Sequence, residues 1–268
     1  MLTVLKYALL ESLHRRMAVI LLIMGVVIVG ALFLTISFET AEDGTLLVAP
    51  AVGMTMSAKQ FVPLMIGGLL GFSRTLWLFL VLFAVTPLLT TYMEKGWVEL
   101  LVSKGVPRWQ FLVGRYAGGV VLLAISLMLV VGVPGIYFSL RAGLSLPNLF
   151  GALALLLLSF SAVLALMALI AVFQVSPVIP IMVGFLQLTL SAVLANRQAL
   201  YSFFQSEWIR TSFDWSYYVL PKNSELSNLA SGFLANGAVE AWWPVWSTGL
   251  FLFGALTLAC WLFHRKSF

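Results

Sequence analysis

Charge is what this sequence has least of. Asp, Glu, Lys and Arg together make up 9% of its 268 residues, where a soluble domain carries about a quarter. With 62% of the residues hydrophobic, the solvent for most of the chain is expected to be lipid. Cysteine is nearly absent too, and the single Cys260 excludes a disulfide framework within one chain. The two histidines, His14 and His264, fall at the ends of apolar runs, so neither is placed to hold a haem inside them. The two aspartates, Asp43 and Asp214, both lie between runs, which excludes a pair of intramembrane aspartates working as a protease.

Other chemistry is missing as well. No segment matches the Gly-x-x-x-x-Gly-Lys-Ser/Thr loop that cradles nucleotide phosphates, so this chain alone is not expected to hydrolyse ATP. There is no His-Glu-x-x-His zinc helix and no Gly-x-Ser-x-Gly elbow, and no enzyme activity, metal or cofactor is expected on this chain. Apart from a borderline Arg74, no ionisable residue falls in the middle of an apolar run, which argues against a proton-coupled transporter. Lys and Arg form no cluster on a domain-sized polar region, so nucleic acid is not an expected partner and membrane lipid is. The N-terminal segment is mixed and charged and lacks the pattern of a cleavable signal peptide.

What is present is a series of long uncharged runs. A helix needs roughly 20 apolar residues to cross the hydrocarbon core. Runs at 17–38, 75–93, 116–140 and 242–263 meet that test. The uncharged stretch 142–196 is too long for one crossing and is punctuated by Gln174, Ser176, Pro177 and Pro180. It divides into spans at 147–173 and 177–195. Backbone groups in lipid must be satisfied within their own segment, so these are helices and the fold class is all-α. The expected architecture is a single transmembrane domain over residues 1–268, with six transmembrane helices and no internal repeat.

Residues 1–16 place Leu2, Leu5, Leu9 and Leu13 on one stripe, the pattern of an interfacial helix lying at the headgroups. Two segments between spans are long. The first, 39–73, holds an apolar piece at 61–71 that is expected to pack at the outer interface. The outer loop 196–241 carries a density of Trp, Tyr and Phe that suits an interfacial belt.

Orientation follows from counting basic residues. One side holds nine: Lys6, Arg15, Arg16, Lys95, Lys104, Arg108, Arg115, Arg265 and Lys266. The other holds six: Lys59, Arg74, Arg141, Arg197, Arg210 and Lys222. The positive-inside rule then makes both termini and residues 94–115 cytoplasmic.

Within the spans, Thr86 and Thr90 flank Pro87 at helical spacing, and Gln187, Thr189 and Ser191 give the fifth span a polar face. Thr86, Thr90, Gln187 and Ser191 are candidates for lining a path or for hydrogen-bonding between helices. Pro177 and Pro180 are expected to let the fifth span kink, and Gly67, Gly68, Gly118 and Gly119 to permit close packing.

One compact polar island separates the second and third runs, at residues 94–112. It contains Glu94, Gly96, Glu99, Leu100, Leu101, Ser103, Pro107 and Arg108, with Gly114 and Arg115 following. A short helix of this kind, with an apolar pair and flanking charges, suits docking against a soluble protein. The island resembles a motif of type-2 ATP-binding-cassette (ABC) exporter permeases, Glu-x-x-Gly-Thr-x-Glu-Leu-Leu-x-Ser-x-Pro-x-x-Arg followed by Gly-Lys. Trp97 stands for the usual Thr, Gly105 for the first Pro, and Pro107 falls two residues later. The closing Phe263-His264-Arg265-Lys266 is similar to that family's basic tail.

The resemblance implies that the island is a cytoplasmic coupling helix seated in a cleft of a separate ATPase subunit. It further implies two copies of that ATPase carrying ATP and Mg, a second permease copy or paralogue, and a bacterial inner-membrane location. Glu94, Glu99 and the Leu100-Leu101 face would make the contact, with Arg108 and Arg115 anchoring the segment at the headgroups. A different class of function, a non-transporting membrane anchor or assembly factor of an envelope or respiratory complex, would leave the docking island without a purpose.

Overall fold

The computed structural model describes residues 16–40, 46–50, 56–90, 107–142, 146–173, 176–201 and 206–265. Six helices among them are long and apolar enough to cross a membrane. The expected interfacial helix at 1–16 lies outside the described residues except for Arg16, as does most of the island, including Glu94, Gly96, Glu99, Leu100, Leu101 and Ser103.

The first span is α1 (Arg16–Thr35), and it is followed by three short antiparallel strands, β1 (Ile36–Thr40), β2 (Leu46–Pro50) and β3 (Met56–Ser57). In register, Phe38 pairs with Val48 and Val48 with Met56. These three short strands are a small addition to a fold that is otherwise helical, with the six spans as expected.

The second span is longer than the apolar run that announces it. Helix α2 (Ala58–Phe72) passes through a π-helical turn (Ser73–Trp77) into α3 (Leu78–Thr90). The piece at 61–71 therefore belongs to one continuous helix over Gln60–Thr90 and is not a separate interfacial segment. The reason is local. Ser73 keeps donating its N–H to the Leu69 and Leu70 carbonyls, and no Gly-Pro break intervenes. Arg74 interrupts the uncharged run but not the helix, because a long basic side chain can reach out to a polar region.

The third span repeats the pattern: α4 (Arg108–Leu127), a π-helical turn (Met128–Gly132) and α5 (Val133–Ala142). The fourth is α6 (Leu146–Phe173) and the fifth α7 (Val178–Ala195). Here the expected kink is replaced by a start signal. Pro177 caps α7 and Pro180 sits in its first turn, where a missing N–H removes no intrahelical bond.

The segment expected as an outer loop is largely helical: α8 (Arg197–Leu200), α9 (Glu207–Val219) and α10 (Asn223–Asn236) precede the last span, α11 (Trp243–Arg265). Trp208, Trp215 and Tyr218 on α9 and Trp242, Trp243 and Trp246 at the start of α11 are exposed. Helix α10 does not lie on the surface. It packs along α6 and against α7 and α2, burying Leu226 and Ala230.

Helix α6 is the centre of the bundle, touching α3, α4, α7, α10 and α11. Close approach depends on small residues. A Cβ at Gly119 would come within 2.7 Å of Val85 and 2.9 Å of Leu164. Gly67 and Gly68 play no such part, since a Cβ at either meets nothing within 4 Å.

Candidate functional site

Two ends of the bundle can be told apart by the contacts between helices. At one end, the Arg108 guanidinium donates to the His264 carbonyl at 3.4 Å, and Phe111, Val172, Ala259 and Phe263 form a small apolar cluster. At the other, Phe33 meets Tyr137 edge-on at 4.9 Å between centroids. The starts of α4 and the ends of α6 and α11 thus share the end at which residues 91–106 leave and rejoin the bundle.

Of the predicted coupling residues, Pro107 and Arg108 are described. Pro107 is the extended residue before α4, with φ −64° and ψ 137°, and its carbonyl accepts from the Gln110 N–H at 3.1 Å. Arg115, expected to anchor the segment at the headgroups, has protein partners. Its side chain is buried, donates to the Leu88 carbonyl at 3.1 Å and lies 5.0 Å from the Phe111 ring centroid. Inside the bundle a guanidinium is tolerated only with such partners, and a carbonyl in the last described turn of α3 supplies one.

The polar pair of the second span and that of the fifth do not meet within the chain. Thr86 and Thr90 are buried and bond back to the Leu82 and Thr86 carbonyls of their own helix. Gln187 and Ser191 face α10 instead. Gln187 Nε2 donates to the Pro221 carbonyl at 3.0 Å, and Ser191 Oγ accepts from the Ser224 N–H at 2.9 Å. Thr248 of α11 completes the set by accepting from the Lys222 N–H at 3.2 Å. Three side chains from two spans therefore satisfy the backbone of the α9–α10 turn, which would otherwise be buried with open donors and acceptors. Sequence reasoning passed over Thr248, whose one signal is a hydroxyl in the outer third of an apolar run.

The same end carries a polar cluster closed on itself. Arg197 pairs with Asp214 at 3.3 Å and stacks 3.5 Å over the Tyr217 ring, while Tyr201 donates to Asp214. Tyr217 donates to Glu225 at 3.0 Å; burial first, and then that bond, push its pKa up to about 12. Lys222 is buried with its Nζ 4.4 Å from the Tyr217 ring and 5.4 Å from Trp243, donating to the Tyr217 carbonyl at 3.1 Å. Burial is the main cause of its lowered pKa. These contacts fasten α9 to α8 and α10. Among the described residues no group of three His, Cys, Asp or Glu side chains is arranged to hold a metal.

One cavity, of about 220 Å³, opens beside this region between α3, α6, α7 and α10. Its polar wall is Arg74, Thr75, Ser159, Thr189, Asn223, Ser224 and Ser227; its apolar wall is Leu78, Phe79, Phe160, Phe185, Leu188 and Ala192. Arg74 sits in the π-helical turn of the second span, where the widened ring displaces a side chain from the regular helical positions. Its Nη1 donates to Asn228 Oδ1 at 2.9 Å. Among the described residues, neither polar atom of the Asn223 side chain has a hydrogen-bond partner, nor does Ser159 Oγ. Asn223 is 3% exposed and Ser159 fully buried. An arrangement of this kind can hold an anionic or strongly polar group at one end and an apolar one at the other.

Compared with known proteins, the sequence matches no family model and no curated protein.

Proposed function

We propose that this protein is the membrane-spanning permease subunit of an ABC exporter. In this reading it works as a dimer in a bacterial inner membrane, with both termini cytoplasmic, and a separate ATPase drives it through the island at 94–112. The observation that carries the proposal is the island itself, a Glu-Leu-Leu segment with flanking glycines set between the second and third of six spans. Its attachment supports the reading. The residues where it rejoins the bundle are tied to two other spans: Arg108 to the end of α11 and Arg115 to α3. A push or pull on a segment anchored in this way reaches the second, third and sixth spans together. Six spans per chain suit half of a two-fold transport unit, since oligomers favour closed symmetry.

The test reverses the island's charges. Glu94→Lys with Glu99→Lys should leave insertion and yield unchanged, because neither residue is expected to face lipid. A span-free ATPase should co-purify with the unaltered protein and be lost, at least tenfold, from the double variant, as when a buried interfacial charge pair is broken. Equal recovery of the ATPase with both proteins, or no ATPase with either, would refute the proposal.

A further inference from the structure

We infer that the cavity beside Arg74 is a binding site for a membrane amphiphile, holding its anionic head at Arg74 and Asn223 and the start of its chain along Phe79 and Phe185. The inference is independent of the energy-coupling role, since none of the residues it uses belongs to the island or to the contacts of Arg108 and Arg115.

Position comes first. Sixteen residues separate Arg74 from Thr90 on one continuous helix. At helical rise they lie about 24 Å apart, so Arg74 falls near one face of a hydrocarbon layer about 30 Å thick. With Thr90 set at one face of the layer, Arg74 lies toward the other, in the half away from Pro107.

Charge comes next. Among the described residues Arg74 has no carboxylate partner; its bond to Asn228 is to a neutral amide. The first turn of α10 borders the same cavity with Asn223 and Ser224, and the next turn with Ser227. The positive end of that helix dipole adds to the field of the guanidinium and favours an anion. The one carboxylate in that turn, Glu225, lines a different cavity and accepts from Tyr217.

Two further side chains have no role in holding the fold as it stands. The Asn223 amide and the Ser159 hydroxyl are buried on the cavity wall without partners among the described residues. An unpaired buried polar group is costly, and a ligand oxygen that accepts from the Asn223 Nδ2 and the Ser159 hydroxyl removes the cost of those two donors.

Shape then separates an amphiphile from a free anion. Six of the thirteen lining side chains are apolar, and two of them, Leu78 and Phe79, follow Arg74 along the second span. A ladder of rings continues away from the head: Phe79 meets Phe185 at 5.5 Å and Phe83 at 4.8 Å, both edge-on. Phe83 and Phe185 are exposed on the outside of the bundle. Phe83 lies nine residues from Arg74, about 13 Å deeper along the helix. At about 220 Å³ the cavity is smaller than a drug-sized pocket. It takes a head and the first carbons of a chain, with the remainder lying against this ladder in the direction a lipid tail takes.

The experiment uses the full-length protein in detergent, with no ATPase present, and dodecyl phosphate bearing a chain diazirine as the probe. Photolabel should concentrate on peptides holding Phe79 and Phe185. Labelling should fall about tenfold in Arg74→Gln and be largely kept in Arg74→Lys, as expected for loss of one charge-assisted contact. Asn223→Leu guards against a folding artefact. It removes an orphaned amide and fills the cavity, so its melting temperature should hold or rise while labelling falls. Unchanged labelling in Arg74→Gln and Asn223→Leu, or equal labelling by dodecanol carrying the same diazirine, would overturn the site. Displacement of the probe by millimolar inorganic phosphate would overturn the amphiphile and leave a free-anion site.

Discussion

The side chain of Gln187 illustrates how a polar residue in a span is decided by what lies opposite it. In sequence it belongs to a stripe with Ser191, and both a wet path and an interhelical bond satisfy that pattern. In the fold its Nε2 reaches the carbonyl of Pro221, in a turn whose next residues are held by Ser191 and Thr248. The turn enters the bundle beside lipid-facing helices, where water does not compete for these bonds. Replacing Gln187 by Met keeps the volume and removes the donor, which leaves a buried carbonyl open. The expected cost is roughly 1–3 kcal/mol, read as a lower midpoint in thermal unfolding of the purified protein. An unchanged midpoint would mean that the Pro221 carbonyl finds another donor. Neither Pro221 nor Thr248 stands near Gln187 in sequence, so this assignment was not legible beforehand.

At the scale of elements, what could be read depended on how uniform each helix's surroundings are. The fourth span, 147–173, was legible to the residue, because α6 is surrounded by other helices and by lipid and carries no charge. The second span was read too short, since Arg74 breaks an uncharged run without breaking a helix. Helix α10 was not legible at all. With Asn, Ser and Glu in its first turns it reads as exposed loop, and what buries it is a surface supplied by α6 and α7. The candidate cavity was hidden for the same reason, as its walls come from four helices far apart in sequence. The fit of α10 on α6 is close at one point, where a Cβ on Gly151 would meet the Phe233 ring at 2.0 Å. Helix α10 ends one turn later at Gly237, whose φ of 70° suits glycine and whose N–H bonds to the Phe233 carbonyl at 2.8 Å. Gly151→Leu should therefore push Phe233 out and loosen α10, costing about 1–3 kcal/mol as overpacking does. Faster amide hydrogen exchange over 223–236, with exchange in α11 unchanged, would register it; equal exchange in both would show that the ring simply rotates away.

For the whole molecule the open quantity is which end faces the cytoplasm, and two independent arguments bear on it. Parity is geometric: six crossings bring Arg16 and Arg265 to one end, where Arg108 touches the His264 carbonyl. Direction is electrostatic: nine basic residues belong to that end and six to the other, and insertion retains Lys and Arg on the cytoplasmic side. The contrast is sharper than the count suggests once the island is considered, because Lys95, Lys104 and Arg108 fall in a short connection, the kind to which the rule applies. At the opposite end the basic residues are dispersed over long segments, and Arg197 and Lys222 are held by Asp214, Tyr217 and Trp243. Single-cysteine variants settle the matter after Cys260, which is half-buried in α11, is replaced by Ala. Ala238 is exposed just beyond α10, so Ala238→Cys should react with a membrane-impermeant maleimide in intact cells. Lys104→Cys should react only after the membrane is opened. The reverse pattern would turn the molecule over, place the island outside the cell and leave no ATPase able to reach it; the cavity at Arg74 would then open to the cytoplasmic leaflet, with its amphiphile site otherwise intact.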